Sequence, residues 1–310
     1  MRSVMLVVHT GRSDIRDLAR HVIMKMSAAG FEVRLNATEA ADLAKDDVNE
    51  ELSGPGSALD KITILDGPDC AVGTEVSLVL GGDGTFLRAA ELARHCDVPL
   101  LGVNLGHVGF LAETEVDALD ATVSAIVDRH YEVEERMTLA VTTMFDDEVI
   151  AHDWALNEVS VEKSSREKMI EVEVAVDDRP LLRFGCDGII CATPTGSTAY
   201  AFSVGGPIVW PNVEAMLVVP NAAHALFDRP LVVAPTSQIR LDLLRPDQSG
   251  LLSCDGRRSH DLRPGTRLQV ERGSKPILVA RPHPTPFGER LVAKFQLPVR
   301  SFRDGGPTTV

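Results

Sequence analysis

The chain has 310 residues, 44% of them hydrophobic and 25% charged, with a formal net charge of −14. That composition belongs to ordinary globular proteins, and the length suits two domains of about 100–200 residues each. The acidic balance argues against a nucleic-acid or anionic-membrane surface, so neither is expected as a partner. No run reaches the roughly 18–20 apolar residues of a membrane span. Val4–Val8 is too short for the core of a secretory signal, so a cytoplasmic protein is expected. The five cysteines (Cys70, Cys96, Cys186, Cys191, Cys254) include no Cys-x-x-Cys pair and read as small core residues.

Val4–His9 predicts a strand, Asp14–Ala28 a helix and Phe31–Leu35 a strand. Lys45–Asp60 is acidic, contains Ser53-Gly54-Pro55-Gly56 and reads as a mobile loop. Ile62–Leu65 and Ser77–Leu80 are further strands, followed by a helix over Thr85–Arg94, a strand over Pro99–Val103 and a helix over Val116–Arg129. This alternation predicts an α/β domain with a mostly parallel sheet over residues 1–136, with ligands at the strand carboxyl ends.

From 137 to 284 the pattern changes to short β-branched segments. These are Leu139–Thr143, Ile170–Val176, Leu181–Phe184, Ile189–Ala192, Met216–Val219, Leu231–Val233, Ile239–Leu244, Arg267–Val270 and Ile277–Ala280. Asp177-Asp178-Arg179-Pro180 and Pro264-Gly265 mark turns between them, and an all-β, sandwich-like domain is expected. Residues 285–310 form a separate end, compact and apolar over Phe287–Val299.

Gly81-Gly82-Asp83-Gly84-Thr85 is the most informative motif, because a buried strand precedes it and a helix follows. Glycines there let the backbone approach a ligand, and amides freed at a helix start favour phosphate. Asp83 would repel phosphate unless it holds a metal ion or takes a proton, which points to phosphoryl transfer. No Gly-Lys-Ser/Thr follows, so the loop is not a Walker A motif. Arg88, one turn into the helix, is a candidate cation for the phosphate charge.

Asn104-Leu105-Gly106-His107-Val108-Gly109-Phe110-Leu111 has the Gly-x-Gly-x-x-Gly spacing with asparagine in first place. The acidic residue that a dehydrogenase needs about 20 positions on would fall within a helix, which disfavours hydride transfer. Asn157 and Glu158 would point to opposite faces of a regular strand; only an irregular backbone lets both reach one ligand. Ile189–Ser203 runs from a strand into the turn Thr193-Pro194-Thr195-Gly196-Ser197-Thr198 and then a helix, which Thr195 or Ser197 could cap. Tyr200 offers an aromatic face there, with Asp187 and Lys168 as neighbouring charges.

Together these motifs, with Asp187-Gly188 and His224-Ala225-Leu226-Phe227-Asp228-Arg229-Pro230, resemble the bacterial NAD kinases, in order and along nearly the whole chain. The Gly-Gly-Asp-Gly element alone is shared with diacylglycerol-type lipid kinases, which the −14 charge disfavours. A non-catalytic nucleotide sensor would be expected to lose Asp83.

The resemblance implies transfer of the terminal phosphoryl group of ATP, or of polyphosphate, to the 2′-hydroxyl of the NAD adenosine. It implies Asp83 as the catalytic aspartate, with Gly84 and Arg88 at the same site and Asn157 and Glu158 on the ribose hydroxyls. Lys168, Asp187, Thr198, Ala199, Tyr200, Ala201, Phe202 and Ser203 would be further NAD contacts. Gly81, Gly82, Gly84 and Thr85 would form the ATP phosphate loop, with Mg²⁺ carried by ATP and no metal ligands assigned. A homo-oligomer and a chain end returning to the first domain are also implied. Cys254-Asp255-Gly256-Arg257 departs from the Asp-Gly-Gln of many relatives, so no role is carried over to Arg257.

Overall fold

The computed structural model describes residues 1–45, 59–105, 109–112, 114–115, 118–165, 168–282 and 285–299. Most of the predicted Lys45–Asp60 loop, and Gly106–Val108 of the second glycine motif, lie outside them. The described chain divides into two units, residues 1–134 with 278–310, and residues 135–277.

The first unit is built on a mostly parallel sheet. Its strands neighbour one another in the order Ile62–Ile64, Phe31–Leu35, Arg2–Val8, Val76–Leu80, Leu100–Asn104, Ile277–Arg281 and Glu132–Arg136. Val4, Leu6 and Val8 join a core with Ile15, Val22 and Ile23 of the Ser13–Ala28 helix and Val123 and Ile126 of the Leu119–Asp128 helix. Met5 and Val7, alternate residues of the same strand, are equally buried on the opposite face. Burial on both faces explains why these strands read as unbroken apolar runs. The chain winds outward from Arg2–Val8 in one direction, then returns through Val76–Leu80 on its other side. That reversal makes a topological switch point, and Gly81–Thr85 follows directly from it.

Several elements differ from the sequence expectation here, among them the strand Glu132–Arg136, which has no predicted counterpart. The helix Ala37–Ala44, capped by Asn36 accepting from the Thr38 amide at 2.8 Å, was not anticipated. Ile277–Arg281, read as part of the β domain, instead pairs in parallel with Leu100–Asn104 in the first sheet. An apolar four-residue run, Ile277–Ala280, carries no mark of which sheet it will join.

The second unit is two antiparallel six-stranded sheets. One runs Leu231–Val233, Met216–Asn221, Gly188–Ala192, Glu158–Lys163, Gly250–Cys254 and Arg258–Leu262; the other runs Arg179–Cys186, Ile170–Val176, Ile239–Leu243, Arg267–Arg272, Leu139–Phe145 and Glu148–Ala155. Alternate residues of both sheets share a single core, including Val159, Val161 and Leu252 from one and Val172, Leu241 and Val270 from the other. This is the expected sandwich. The hairpin Gly250–Cys254/Arg258–Leu262 was missed, because its second strand, Arg-Ser-His-Asp-Leu, is polar except for the buried Leu262 and gives no strand-like apolar pattern. Cys70, Cys186, Cys191 and Cys254 are buried free thiols and Cys96 is partly exposed. Among the described residues no helix is long and apolar enough to cross a membrane.

The Ile170–Val176/Arg179–Cys186 hairpin closes on Asp177 and Asp178, both left-handed at φ 50° and 62°. Asp177 has a reason to stay, since its carboxylate accepts from the Gln238 amide at 3.0 Å and the Ser237 hydroxyl at 3.1 Å. Asp178 has an exposed pairing with Arg240 at 3.4 Å, which contributes little. Asp178→Gly removes left-handed strain and restores the Asp-Gly pair that such turns favour, so it should stabilise by about 0.5–1 kcal/mol. Thermal denaturation should show a higher midpoint; a lower one would mean that the Arg240 contact outweighs the strain.

Candidate active site

The helix after the glycine loop begins at Asp83, two residues earlier than the sequence predicts. The Gly82 carbonyl accepts from the Thr85 amide at 3.0 Å and the Phe86 amide at 3.1 Å, which winds Asp83 and Gly84 into the first turn. Amides in a first turn have no intrahelical acceptor and face outward. Among the described residues, a Cβ at Gly82 or Gly84 would meet no atom within 4 Å, and neither has a left-handed φ. Nothing in the described protein requires glycine there, whereas an anion lying against the backbone would. At Gly81 a side chain would run into that of Thr85.

Asp83 turns its carboxylate onto the second glycine segment. Oδ2 accepts from the Phe110 amide at 3.2 Å, and Oδ1 from the Leu111 and Ala112 amides at 3.1 and 3.4 Å. Gly109 makes room for this, since a Cβ there would collide with the Asp83 carboxylate. The described part of the motif read as a dinucleotide fingerprint therefore holds the aspartate of the first. Arg290, from the helix Phe287–Phe295, is buried and donates to the Phe110 carbonyl at 3.0 Å. Burial pushes its guanidinium down to about 10, and the charge of Asp83 acts in the opposite direction. Sequence reading missed Arg290, because one arginine in a terminal segment gives no sign of what it packs on.

Arg88, the candidate cation for the phosphate charge, already has partners. Its guanidinium pairs with Glu39 and donates to the Val8 carbonyl at 2.8 Å. Glu39, from the unanticipated helix, is buried and also accepts from the Val8 amide at 3.0 Å. Burial raises its pKa and Arg88 opposes that rise. Much of the charge of Arg88 is therefore spoken for.

In the second unit, the strand Glu148–Ala155 ends in one sheet and Glu158–Lys163 begins in the other. Leu156 and Asn157 form the irregular crossing, the very condition under which Asn157 and Glu158 can serve one ligand. A buried carboxylate fixes it: Asp255 accepts from the amides of Leu156 at 2.9 Å, Asn157 at 2.7 Å and Glu158 at 3.3 Å. The Thr193 hydroxyl donates to the Leu156 carbonyl at 2.6 Å and accepts from the Gly196 amide at 3.0 Å. Thr193 thus caps the turn, in place of Thr195 or Ser197. Ser197 is wholly buried and bonds Pro194 and Val209 instead. Gly196 is required by close approach, because a Cβ would collide with the Asn157 carbonyl.

The Glu158 side chain is buried, and its Oε2 has no hydrogen-bond partner among the described residues. Burial, reinforced by the charge of Asp255, raises its pKa to about 8, against the Tyr200 amide that favours the anion. Burial also raises Asp255, but three amides and Arg258 favour its charged form. The proton of this pair therefore resides on Glu158.

After Gly196–Thr198, Tyr200–Ser203 is a single helical turn rather than a full helix. Ala201 is buried among Ile190, Ala192, Leu217 and Val219, so its side chain faces the sheet. Tyr200 is half-buried, with its hydroxyl accepting from Asn221 at 3.4 Å, while Phe202 and Ser203 are exposed. Asp187 pairs with Lys163 at 2.6 Å, and Lys168 pairs at the surface with Asp247 at 3.0 Å.

Residues 4–131 match the ATP-NAD kinase N-terminal domain and residues 156–281 the ATP-NAD kinase C-terminal domain. The chain is 49% identical to the NAD kinase of Rhodococcus erythropolis over 99% of its own length and 97% of that protein. This chain belongs to the NAD kinase family. It is also 50% identical to NAD kinase 2 of Streptomyces coelicolor, over 99% of its length and 98% of that protein. An Archaeoglobus fulgidus NAD kinase solved in complex with ATP aligns with a TM-score of 0.66 and 25% identity, over 90% of this chain and 93% of that one. A yeast NADH kinase complexed with NADH shares the fold at a TM-score of 0.85 and 24% identity, over 100% of this chain and 90% of that one.

For this NAD kinase family member, the buried proton on Glu158 has a consequence for stability. The unfolded carboxyl titrates near 4.5 and the folded one near 8, so folding takes up a proton between those values. Its stabilising contribution is complete below pH 4.5 and is lost as the pH rises to 8. Glu158→Gln, neutral throughout, should flatten that part of the stability profile in urea denaturation. A slope identical to that of the parent protein would show that Glu158 is charged in the fold.

Proposed function

We propose that this protein phosphorylates NAD at the 2′-hydroxyl of its adenosine ribose, with ATP as donor, giving NADP and ADP. The observation that carries this reading is a carboxylate, Asp83, fixed by three amides at a helix start on the sheet's switch point. The bond from the γ-phosphorus to the ADP oxygen breaks, a bond from phosphorus to the 2′-oxygen forms, and the hydroxyl proton passes to Asp83. A carboxylate is a weak base toward a resting hydroxyl, so it accepts that proton late, as the new bond acidifies the oxygen.

Amides around Gly81, Gly82, Gly84 and Thr85 lie against the phosphates. Arg88, already paired with Glu39, contributes less charge than a free arginine would. Among the described residues no cluster of three His, Cys, Asp or Glu side chains could hold a metal by itself. Mg²⁺ carried in on the ATP phosphates would neutralise part of their charge. Asn157 and Glu158 hold the ribose hydroxyls, the neutral carboxyl of Glu158 being able both to donate and to accept. Lys168, Asp187 and the Thr198–Ser203 segment complete the NAD contacts, with Ala201 acting through its backbone.

A coupled assay that reads NADPH formation tests the activity directly, with ATP and polyphosphate compared as donors. Asp83→Asn should fold and bind NAD but lose roughly 10²–10⁴-fold in kcat, the range for removing a general base. Asn157→Ala should weaken NAD binding by ~0.5–1.5 kcal/mol, the cost of a neutral hydrogen bond. Activity of Asp83→Asn within a few-fold of the parent, or an unchanged Kd for NAD in Asn157→Ala, would remove those residues from these roles.

The reading extends to a cytoplasmic homo-oligomer. Its support is the number of exposed apolar side chains in the β unit, among them Trp210, Leu226, Phe227 and Val232. Light scattering during turnover should report a dimer or tetramer, and a fully active monomer would exclude it.

A further inference from the structure

Every backbone polar group of the crossing at Leu156 and Asn157 is committed. Asp255 accepts both amides, the Thr193 hydroxyl donates to the Leu156 carbonyl, and the Thr193 amide donates to the Asn157 carbonyl at 2.9 Å. The side chains are in the opposite state. Asn157 and Glu158 are both 7% exposed, and among the described residues Glu158 Oε2 meets no donor. A locked backbone that presents buried, under-used polar side chains is the arrangement of a preorganised binding clamp.

The lock is assembled from far away in sequence. Asp255 lies 97–99 residues beyond the amides it receives, on a three-residue turn, Asp255-Gly256-Arg257, with φ of 55° and 64° at its first two positions. Its side chain is 1% exposed, which a turn at a hairpin end does not ordinarily demand. Arg258 stands beside it, 3.6 Å from Asp255 Oδ2. The same guanidinium donates to Asp153 Oδ1 at 2.9 Å and to the Trp154 carbonyl, and lies 4.6 Å over the Trp154 ring. His260 closes the far side of Asp153 at 3.0 Å. Arg258 therefore ties the end of the incoming strand to the carboxylate that holds the crossing.

We propose that Asp255 and Arg258 are a positioning pair for the Asn157–Glu158 clamp, setting its affinity for the ribose of the nucleotide substrate without touching that substrate. The proposal rests on the NAD-phosphorylating reading for the identity of the ligand. Arg258 is suited to this as a planar fork that binds, stacks and neutralises at once; lysine supplies the charge without the fork.

The test is steady-state kinetics of the full chain with NAD and ATP varied separately. Arg258→Gln should raise KM for NAD roughly tenfold while KM for ATP stays within about twofold, with Arg258→Lys in between. Asp153→Asn, which removes one anchor of the guanidinium, should shift KM for NAD in the same direction. It and Arg258→Lys give the same reading should Arg258→Gln fail to fold. An unchanged KM for NAD, or equal rises for both substrates, overturns the proposal.

Amide hydrogen exchange at Leu156, Asn157 and Glu158 separates this result from the assignment of activity. Faster exchange in Arg258→Gln supports the lock even if the parent protein fails to phosphorylate NAD, and unchanged exchange refutes it.

Discussion

Backbone amides that leave regular structure need acceptors, and in both units of this protein a single aspartate gathers three of them. In the α/β unit Asp83 receives the amides of Phe110, Leu111 and Ala112; in the β unit Asp255 receives those of Leu156, Asn157 and Glu158. An unpaired buried amide costs about 1–3 kcal/mol, so each carboxylate fixes a loop that would otherwise have no stable shape. What differs is the use. Asp83 is partly exposed at a helix start and remains open to a reactant, whereas Asp255 is sealed and can only position.

The same logic governs charge. A protein with a net charge of −14 that handles a polyphosphate substrate cannot depend on its overall field. It places its cations individually and gives each a partner: Arg88 with Glu39, Lys163 with Asp187, Arg258 with Asp153 and Asp255. Pairing fixes a guanidinium in one geometry at the expense of free charge. Oriented backbone amides at the start of the Asp83–Ala93 helix favour an anion without adding a formal charge.

Glu158 shows the complementary device. Burying two carboxyls close together forces one to keep its proton, and the amides decide which. Asp255, with three amides and an arginine, holds the charge. Glu158, with one amide and an unpartnered oxygen, becomes a neutral acid that can donate a hydrogen bond where a carboxylate could not.

Whatever depends on neighbours along the chain could be read from the residues alone. The buried runs Val4–Val8 and Val76–Leu80, the glycine loop between strand and helix, and the change from α/β alternation to short β segments were all legible, because period and turn chemistry are local. The family resemblance rested on the same local motifs. Only the tertiary structure decided which groups meet across long separations. It paired Arg88 with Glu39, sent Ile277–Arg281 to the first sheet, and made Thr193 the cap. It also brought Asp255 to amides nearly a hundred residues away and Arg290 to Phe110 from 180 residues further on. A carboxylate or guanidinium in a sequence carries its chemistry but not its partner, and a partner at that distance is chosen by how the sheets and helices pack.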